Sequence, residues 1–266
     1  LYQKAYTPWE WHEKIIDYCI EKNIICFSSP FDESAVEFLN KFQLPAYKIA
    51  SFENNHIPLI KCAAKKGKPL IISTGMSTVS EIQKAVYAAR EEGCNDIVLL
   101  KCTSTYPASP LNSNISTIPH LKSLFNTEVG ISDHTLGIGV PIASVGFGAC
   151  MIEKHFTLDR SEGGVDSQFS LEPNELKSLV VESKRAWESI GEITYGPTED
   201  EKLSLVFKRS IYISEDIKKG ERFTNQNIRI VRPGYGCNPE FYEDLIGKVA
   251  KKDFVSGEPL NLKDIF

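Results

Sequence analysis

Short apolar runs alternate with amphipathic stretches over roughly the first 190 residues of the chain. The apolar runs are typical of strands, and they lie near residues 24–29, 46–51, 69–73, 97–102, 129–131 and 149–152. Apolar residues at helical spacing separate them, and the longest helix is expected over Pro173 to Ile190. Near-continuous apolar strands that alternate with helices predict a parallel sheet covered on both faces.

Each predicted strand runs into polar or ionisable residues, which favours a (β/α)8 TIM barrel, because active sites of these barrels lie at the carboxyl ends of the strands. A closed barrel has eight strands, and six are visible after Leu1, which is not a Met. We therefore expect an α/β TIM-barrel domain over residues 1–192 whose first two strands precede residue 1. A polar linker is expected at 193–205. A small β-rich domain with short strands separated by Gly and Pro is expected at 206–266.

Composition excludes several classes of protein. The net charge is −5, so a nucleic-acid partner is not expected. No apolar run approaches the roughly 20 residues of a membrane span, and no signal peptide is visible. The cysteines number seven, which is odd, and no two of them form a C-x-x-C motif. This pattern indicates reduced thiols in a cytoplasmic protein. It argues against a disulfide framework and against a zinc knuckle.

Two histidines follow neighbouring strands and should meet at one rim. His134 follows the fifth predicted strand and His155 the sixth. A single histidine there is more often a core residue bonded to a backbone carbonyl, but two favour a shared divalent metal. We expect Asp133 and Glu153 to lie beside the imidazoles and orient them, and water and substrate to complete the coordination of a metal that polarises a carbonyl.

Lys48 is the candidate anion-binding residue. It stands at a strand end among Ser29, Ser51 and Ser73, and the N–H groups of Thr74-Gly75 precede a helix. A phosphate or carboxylate ligand is the natural expectation, although a lone rim lysine is more often in a salt bridge.

Four other residues have both functional and ordinary interpretations. Glu53 and Asp166 are candidate acid–base groups or ligands of sugar hydroxyls, or else solvated carboxylates. Tyr106 is expected to line the pocket or to pack with its hydroxyl at the surface. Arg232, in Arg-Pro-Gly, is by itself more often a surface charge.

Six motifs at the strand ends, in order, resemble those of the sialic acid synthase family. They are Cys-Phe-Ser-Ser-Pro-Phe (26–31), Ala-Tyr-Lys-Ile-Ala-Ser-Phe-Glu (46–53), Ile-Ser-Thr-Gly-Met (72–76), Lys-Cys-Thr-Ser-Thr-Tyr-Pro (101–107), Gly-Ile-Ser-Asp-His-Thr (130–135) and Ile-Glu-Lys-His-Phe (152–156). The tail, with Arg-Pro-Gly at 232–234, resembles the antifreeze-like (SAF) domain that ends those synthases. The resemblance therefore extends over nearly the whole chain.

The resemblance implies condensation of phosphoenolpyruvate with an open-chain amino sugar and release of phosphate. Thr-Pro-Trp-Glu-Trp-His (7–12), Ser-Phe-Glu (51–53) and Cys-Thr-Ser-Thr-Tyr-Pro (102–107) resemble the branch that makes pseudaminic acid from a 2,4-diacetamido-2,4,6-trideoxy-hexose. N-acetylneuraminic and legionaminic acid synthases are the alternatives. More distant alternatives are a metal-dependent aldolase, which releases no phosphate, and a non-catalytic glycan-binding scaffold.

The resemblance also implies roles for individual residues. Phosphoenolpyruvate contacts fall on Ser29, Lys48, Ser51, Ser73, Tyr106 and Ser132, and Ser104 joins the substrate-binding set at a position where N-acetylneuraminate synthases tend to have Asn. His134 and His155 correspond to the ligands of Mn²⁺ or Mg²⁺. Glu53 and Asp166 correspond to residues that contact the sugar, and Glu53 is expected to position the attacking water. Arg232 corresponds to an arginine inserted by a partner subunit, which implies a domain-swapped homodimer.

Overall fold

A computed structural model describes residues 6–265 and divides the chain between Gly191 and Glu192 into two compact units. The helices are α1 (Trp9–Glu21), α2 (Glu33–Leu39), α3 (Ile57–Ala64), α4 (Val79–Glu91), α5 (Thr117–Phe125), α6 (Gly139–Gly146), α7 (Pro173–Ile190) and α8 (Tyr242–Leu245). The strands are β1 (Tyr47–Ile49), β2 (Leu70–Ser73), β3 (Ile97–Cys102), β4 (Glu128–Asp133), β5 (Ile152–Lys154), β6 (Ser210–Ile213) and β7 (Ile228–Val231).

The first unit is built on a parallel sheet in the order β1-β2-β3-β4-β5, with a helix between each pair of successive strands. Every residue of β1 and β2 is buried, as expected for strands covered on both faces. The core lies between the sheet and its helices; Ile49, Ile72 and Leu99 on three adjacent strands are fully buried. The sheet is half of a barrel, and all its carboxyl ends lie on one rim.

The first predicted strand is not formed as a strand in the described residues. The segment 24–29 contributes one bridge, Ser28 to Tyr47, in which Lys48 N–H donates to the Ser28 carbonyl at 3.2 Å. Ile24 and Ile25 are exposed, so this apolar run lacks the burial that stabilises the neighbouring strands. The prediction of a strand at 24–29 was therefore wrong in extent.

Helix α4 begins as the sequence predicts, at a capping box. The Thr78 hydroxyl accepts from the Glu81 N–H, and the Glu81 carboxylate accepts from the Thr78 N–H. Two donors that a helix start leaves unpaired are satisfied in this way. The box therefore defines the residue at which α4 begins.

The second unit pairs β6 and β7 in an antiparallel ladder around a small core. Phe223 and Phe254 pack edge to face with ring centroids 5.6 Å apart, and Ile211 is fully buried nearby in the same cluster. The segment expected to be a linker, 193–205, overlaps a 3-10 helix at Asp200–Phe207. Within residues 6–265 no helix is long and apolar enough to cross a membrane.

Candidate active site

A polar network, buried except at the half-exposed Glu153, joins the ends of β1, β2, β4 and β5. Lys48 Nζ donates to Ser73 Oγ at 2.7 Å and lies 3.5 Å from Glu153 Oε2. Ser132 Oγ donates to the other oxygen of Glu153 at 2.6 Å. Burial lowers the pKa of Lys48, and the charge of Glu153 opposes that change. Lys48, Ser73 and Ser132, which were all predicted to contact phosphoenolpyruvate, thus lie together around the carboxylate of Glu153. The sequence had predicted that this carboxylate contacts a histidine.

Gly75 allows two further hydroxyl groups to converge beside this network. Its N–H donates to Ser51 Oγ at 3.1 Å, and a methyl group on its Cα would lie 2.0 Å from Ser104 Oγ. Because Thr74 N–H likewise donates to the Leu100 carbonyl at 3.0 Å, neither of these N–H groups is available for an anion. The predicted anion pocket therefore consists of side chains, and its backbone part was wrong.

The two imidazoles lie side by side, with ring centroids 5.2 Å apart. His134 Nδ1 lies 3.1 Å from the Thr103 carbonyl, which assigns the proton to Nδ1 and leaves a lone pair on Nε2. His155 Nδ1 lies 3.5 Å from Asp166 Oδ2. This arrangement fits a divalent ion held by two nitrogens, with an acceptor behind each ring.

The backbone on which these rings stand is tied to two loops. The Ala108 N–H donates to the His134 carbonyl at 2.9 Å, and the Leu171 N–H donates to the His155 carbonyl at 2.8 Å. The main chain at both histidines is therefore fixed by hydrogen bonds from outside their own strands. In the described part of the chain no three His, Cys, Asp or Glu side chains form a metal site, so water or substrate oxygens would have to complete the coordination.

Electrostatic surroundings distinguish the two rings. Burial lowers the pKa of His155, and the neighbouring His134 lowers it further, which favours the neutral form that binds metals. Burial also acts to lower the pKa of His134, but Cys102, whose Sγ lies 3.9 Å from Nδ1, together with the Thr103 carbonyl and Asp133 outweighs burial and raises this pKa.

Cys102 is a chemically distinctive residue that sequence reasoning missed. Burial alone would raise the pKa of its thiol, but hydrogen bonds with His134, Ser51 and Ser104 bring it to about 7. The sequence had indicated only that this cysteine is a reduced thiol. Its place at the end of β3, one residue before the polar loop, was the available signal.

Aromatic side chains form one wall of the site. The ring centroid of Tyr106 is 4.4 Å from that of His134, and the centroid of Phe169 is 4.9 Å from that of His155. Burial raises the pKa of the Tyr106 hydroxyl. Phe169 was missed from the sequence; it follows Asp166 in a glycine-bearing loop and is buried against both imidazoles.

Three other predicted site residues lie outside the hydrogen bonds of the Lys48 network and outside the histidine pair. Glu53 has a buried oxygen, Oε2, with no hydrogen-bond partner among residues 6–265, and burial raises the pKa of this carboxyl. Ser29 is half-buried beside the Ser28 bridge. Arg232 belongs to the second unit and is exposed there.

The prediction that Asp133 and Glu153 contact and orient the imidazoles was wrong. Asp133 bonds to Lys154 and Thr135, and Glu153 bonds to Ser132. Side chains alternate between the faces of a strand, so Asp133, which immediately precedes His134, points to the opposite face. Glu153 stands two residues before His155 on the same face, but its carboxylate faces Ser132 and Lys48. The Thr103 carbonyl faces His134 Nδ1 instead, and Asp166 faces His155 Nδ1.

Comparisons with known proteins identify the family of the chain. Residues 1–195 match the NeuB family and residues 208–265 match the SAF domain. The pseudaminic acid synthase of Campylobacter jejuni is 45% identical over 264 residues, which cover 99% of this chain and 77% of that protein. The pseudaminic acid synthase of Helicobacter pylori is 40% identical, covering 100% of this chain and 78% of that protein.

A solved structure supports the same fold and family. The N-acetylneuraminic acid (sialic acid) synthetase of Leptospira borgpetersenii superimposes with a TM-score of 0.72 at 34% identity, covering 76% of this chain and 71% of that one. The predicted fold, a TIM-type barrel followed by a SAF domain, is confirmed. The chain belongs to the NeuB family, within which the predicted resemblance to sialic acid synthases is also confirmed.

Proposed function

We propose that the protein condenses phosphoenolpyruvate with an open-chain 2,4-diacetamido-2,4,6-trideoxy-hexose to give pseudaminic acid and inorganic phosphate. The observation that carries the proposal is the pairing of His134 and His155, 5.2 Å apart, on the same rim as the buried Lys48 network. Identities of 40–45% to pseudaminic acid synthases support the choice of sugar. Legionaminic and N-acetylneuraminic acid synthesis are the alternatives.

Lys48 and the surrounding hydroxyls would hold phosphoenolpyruvate. The ligand carries a phosphate and a carboxylate, and charge-assisted hydrogen bonds from an ammonium group are the strong contacts for both. The hydroxyl groups complete the binding set; they belong to Ser29, Ser51, Ser73, Ser104, Tyr106 and Ser132. Since Ser73 and Ser132 are nearly fully buried, their hydroxyls are held in place before the ligand arrives.

His134 and His155 would hold Mn²⁺ or Mg²⁺ through the nitrogens that do not face Thr103 and Asp166. A divalent ion bound there supplies Lewis-acid polarisation of the sugar aldehyde. Asp166 would also contact sugar hydroxyls. Phe169, which is buried against both imidazoles, would exclude water from this side of the site, which strengthens the interactions within it.

The reaction balances as one C–C bond formed and one molecule of water consumed. The methylene carbon of phosphoenolpyruvate attacks the aldehyde carbon, and the aldehyde oxygen takes up a proton. The phosphate-bearing carbon becomes cationic and adds water, and phosphate then leaves. Glu53 would orient that water and accept its proton, a task suited to a carboxylate whose pKa is raised by burial.

The proposal also includes the oligomeric state and the cellular location of the protein. Arg232 of the partner subunit would reach the substrates in a domain-swapped homodimer, as the resemblance implies. The reduced cysteines and a small-molecule biosynthetic reaction are consistent with a cytoplasmic enzyme.

Phosphate release tests the proposal directly. With Mn²⁺ present, release from phosphoenolpyruvate is expected only with the 2,4-diacetamido-2,4,6-trideoxy sugar among a panel of amino sugars. His134→Gln and His155→Gln should abolish release and weaken Mn²⁺ binding, whereas His120→Gln, on an exposed position of α5, should not. Release with N-acetylmannosamine alone would keep the family and overturn the branch. Product formation from pyruvate without phosphate release would favour the aldolase.

A further inference from the structure

A buried ion pair lies directly behind the two imidazoles. Asp133 and Lys154 are partners in the register of β4 and β5, and each is followed in the chain by one of the two histidines. Lys154 Nζ lies 2.5 Å from Asp133 Oδ2, and their side chains are 2% and 3% exposed. The pair occupies the face of the sheet opposite to the Lys48 network.

Thr135 extends this pair around His134. Its N–H donates to Asp133 Oδ1 at 3.2 Å, and its hydroxyl donates to Asp133 Oδ2 at 2.9 Å. Lys154 Nζ also donates to the Thr135 carbonyl. The residues on both sides of His134 are thus bonded to the residue that precedes His155.

Stability alone does not account for a charged pair at this place. Desolvation of two ions usually cancels much of their attraction, and well-packed apolar residues are often as stabilising. Lys154 borders a groove of about 790 Å³ whose lining includes Val145, Leu176 and Leu179, so an apolar side chain would have partners there. An apolar pair would lack directional bonds. The charged pair adds to the backbone ladder of β4 and β5 the bonds from Lys154 to Asp133 and to the Thr135 carbonyl, next to the two histidines.

We infer that Asp133 and Lys154 are a positioning pair that sets the separation and orientation of His134 and His155 for a shared divalent ion. The inference rests on the proposed metal-binding function of the two histidines. Neither side chain touches the substrate pocket. Their effect passes through the backbone of Thr135 and through the peptide that links Lys154 to His155.

Replacing both charges at once avoids leaving one of them buried and unpaired. In Asp133→Leu/Lys154→Met the net charge is unchanged and the volumes are similar. Mn²⁺ affinity is measured from the electron paramagnetic resonance signal of the free ion, without substrates. We expect the dissociation constant to rise about 10- to 100-fold, the usual cost of removing groups that orient metal ligands. The KM for phosphoenolpyruvate should change little, because the Lys48 network is on the other face.

A matched control lies at the opposite end of the same strand. Lys122 and Glu128 form an exposed ion pair at 2.7 Å, and Lys122→Met/Glu128→Leu removes the same two charges. This variant should bind Mn²⁺ like the parent. Side-chain ¹H–¹⁵N spectra of the metal-free proteins should show altered imidazole environments only in the Asp133/Lys154 variant.

The outcomes separate the two proposals. If the parent protein does not bind Mn²⁺, the proposed function fails. If the parent binds and the folded Asp133→Leu/Lys154→Met variant binds equally well, the positioning role is wrong. If that variant does not fold, the nearly isosteric Thr135→Val decides: a roughly tenfold weaker Mn²⁺ complex supports the role, and unchanged affinity rejects it.

Discussion

A β-carbon on Gly75 would lie 2.0 Å from the Ser104 hydroxyl oxygen and 2.7 Å from that of Ser51. Gly75→Ala should therefore displace both hydroxyls from the substrate pocket. We expect a loss of about 100-fold in kcat/KM for phosphoenolpyruvate, as for other displacements of about 1 Å at an active site. Gly139→Ala, where the added carbon meets nothing within 4 Å, should keep full activity. Equal activity of the two variants would contradict this account of Gly75.

Gly130 is predicted to be a packing constraint of β4. A methyl group there would lie 2.4 Å from the Met151 carbonyl oxygen and 2.8 Å from Leu100 Cδ2. Since backbone cannot move aside cheaply, Gly130→Ala should lower the free energy of unfolding by about 1–3 kcal/mol. Gly146→Ala, at an exposed helical position with open space around it, should be neutral or slightly stabilising. Urea denaturation of the two variants tests the difference.

Lys48 is predicted to contribute mainly to binding of the anionic substrate. Lys48→Met removes one ammonium group from a buried network, and a charge-assisted hydrogen bond is worth about 1.5–3 kcal/mol. Loss of that bond corresponds to a fall in kcat/KM for phosphoenolpyruvate of roughly 10- to 150-fold. Steady-state kinetics provide the measurement, and Lys65→Met, at an exposed position after α3, is the control. A loss confined to the KM for the sugar would contradict this assignment.

Glu53 should make stability depend on pH in a defined direction. Burial holds the pKa of its carboxyl above the ordinary value of about 4.3, so the folded state binds this proton more tightly than the unfolded state. Its stabilising contribution is present at low pH and is lost as the pH rises through the folded pKa. The stability of Glu53→Gln minus that of the parent should therefore be larger at pH 7.5 than at pH 4. Thermal unfolding at both pH values measures this, with the exposed Glu162→Gln as reference. A difference that is constant with pH would contradict the burial argument.

The sequence predicted most of the elements and the meeting of the two histidines, because strand periodicity and parallel order place successive strand ends on one rim. It did not predict the partners of Asp133 or Glu153, because the register between two strands decides which of their side chains meet. The low pKa of the Cys102 thiol depends on Ser51, Ser104 and His134, which are brought to it from other segments of the chain. The segment 24–29 has a strand-like composition, but composition alone does not supply the neighbours that a strand requires.

The hydrogen bonds from Ala108 to His134 and from Leu171 to His155 bear on any redesign of sugar preference. Loops around the rim are the natural segments to exchange between relatives that accept different sugars. In this protein two of those loops also hold the main chain of the proposed metal ligands. A graft that replaces the 103–112 or 156–172 loop must therefore preserve the donor at position 108 or 171, or it will alter metal binding together with sugar choice.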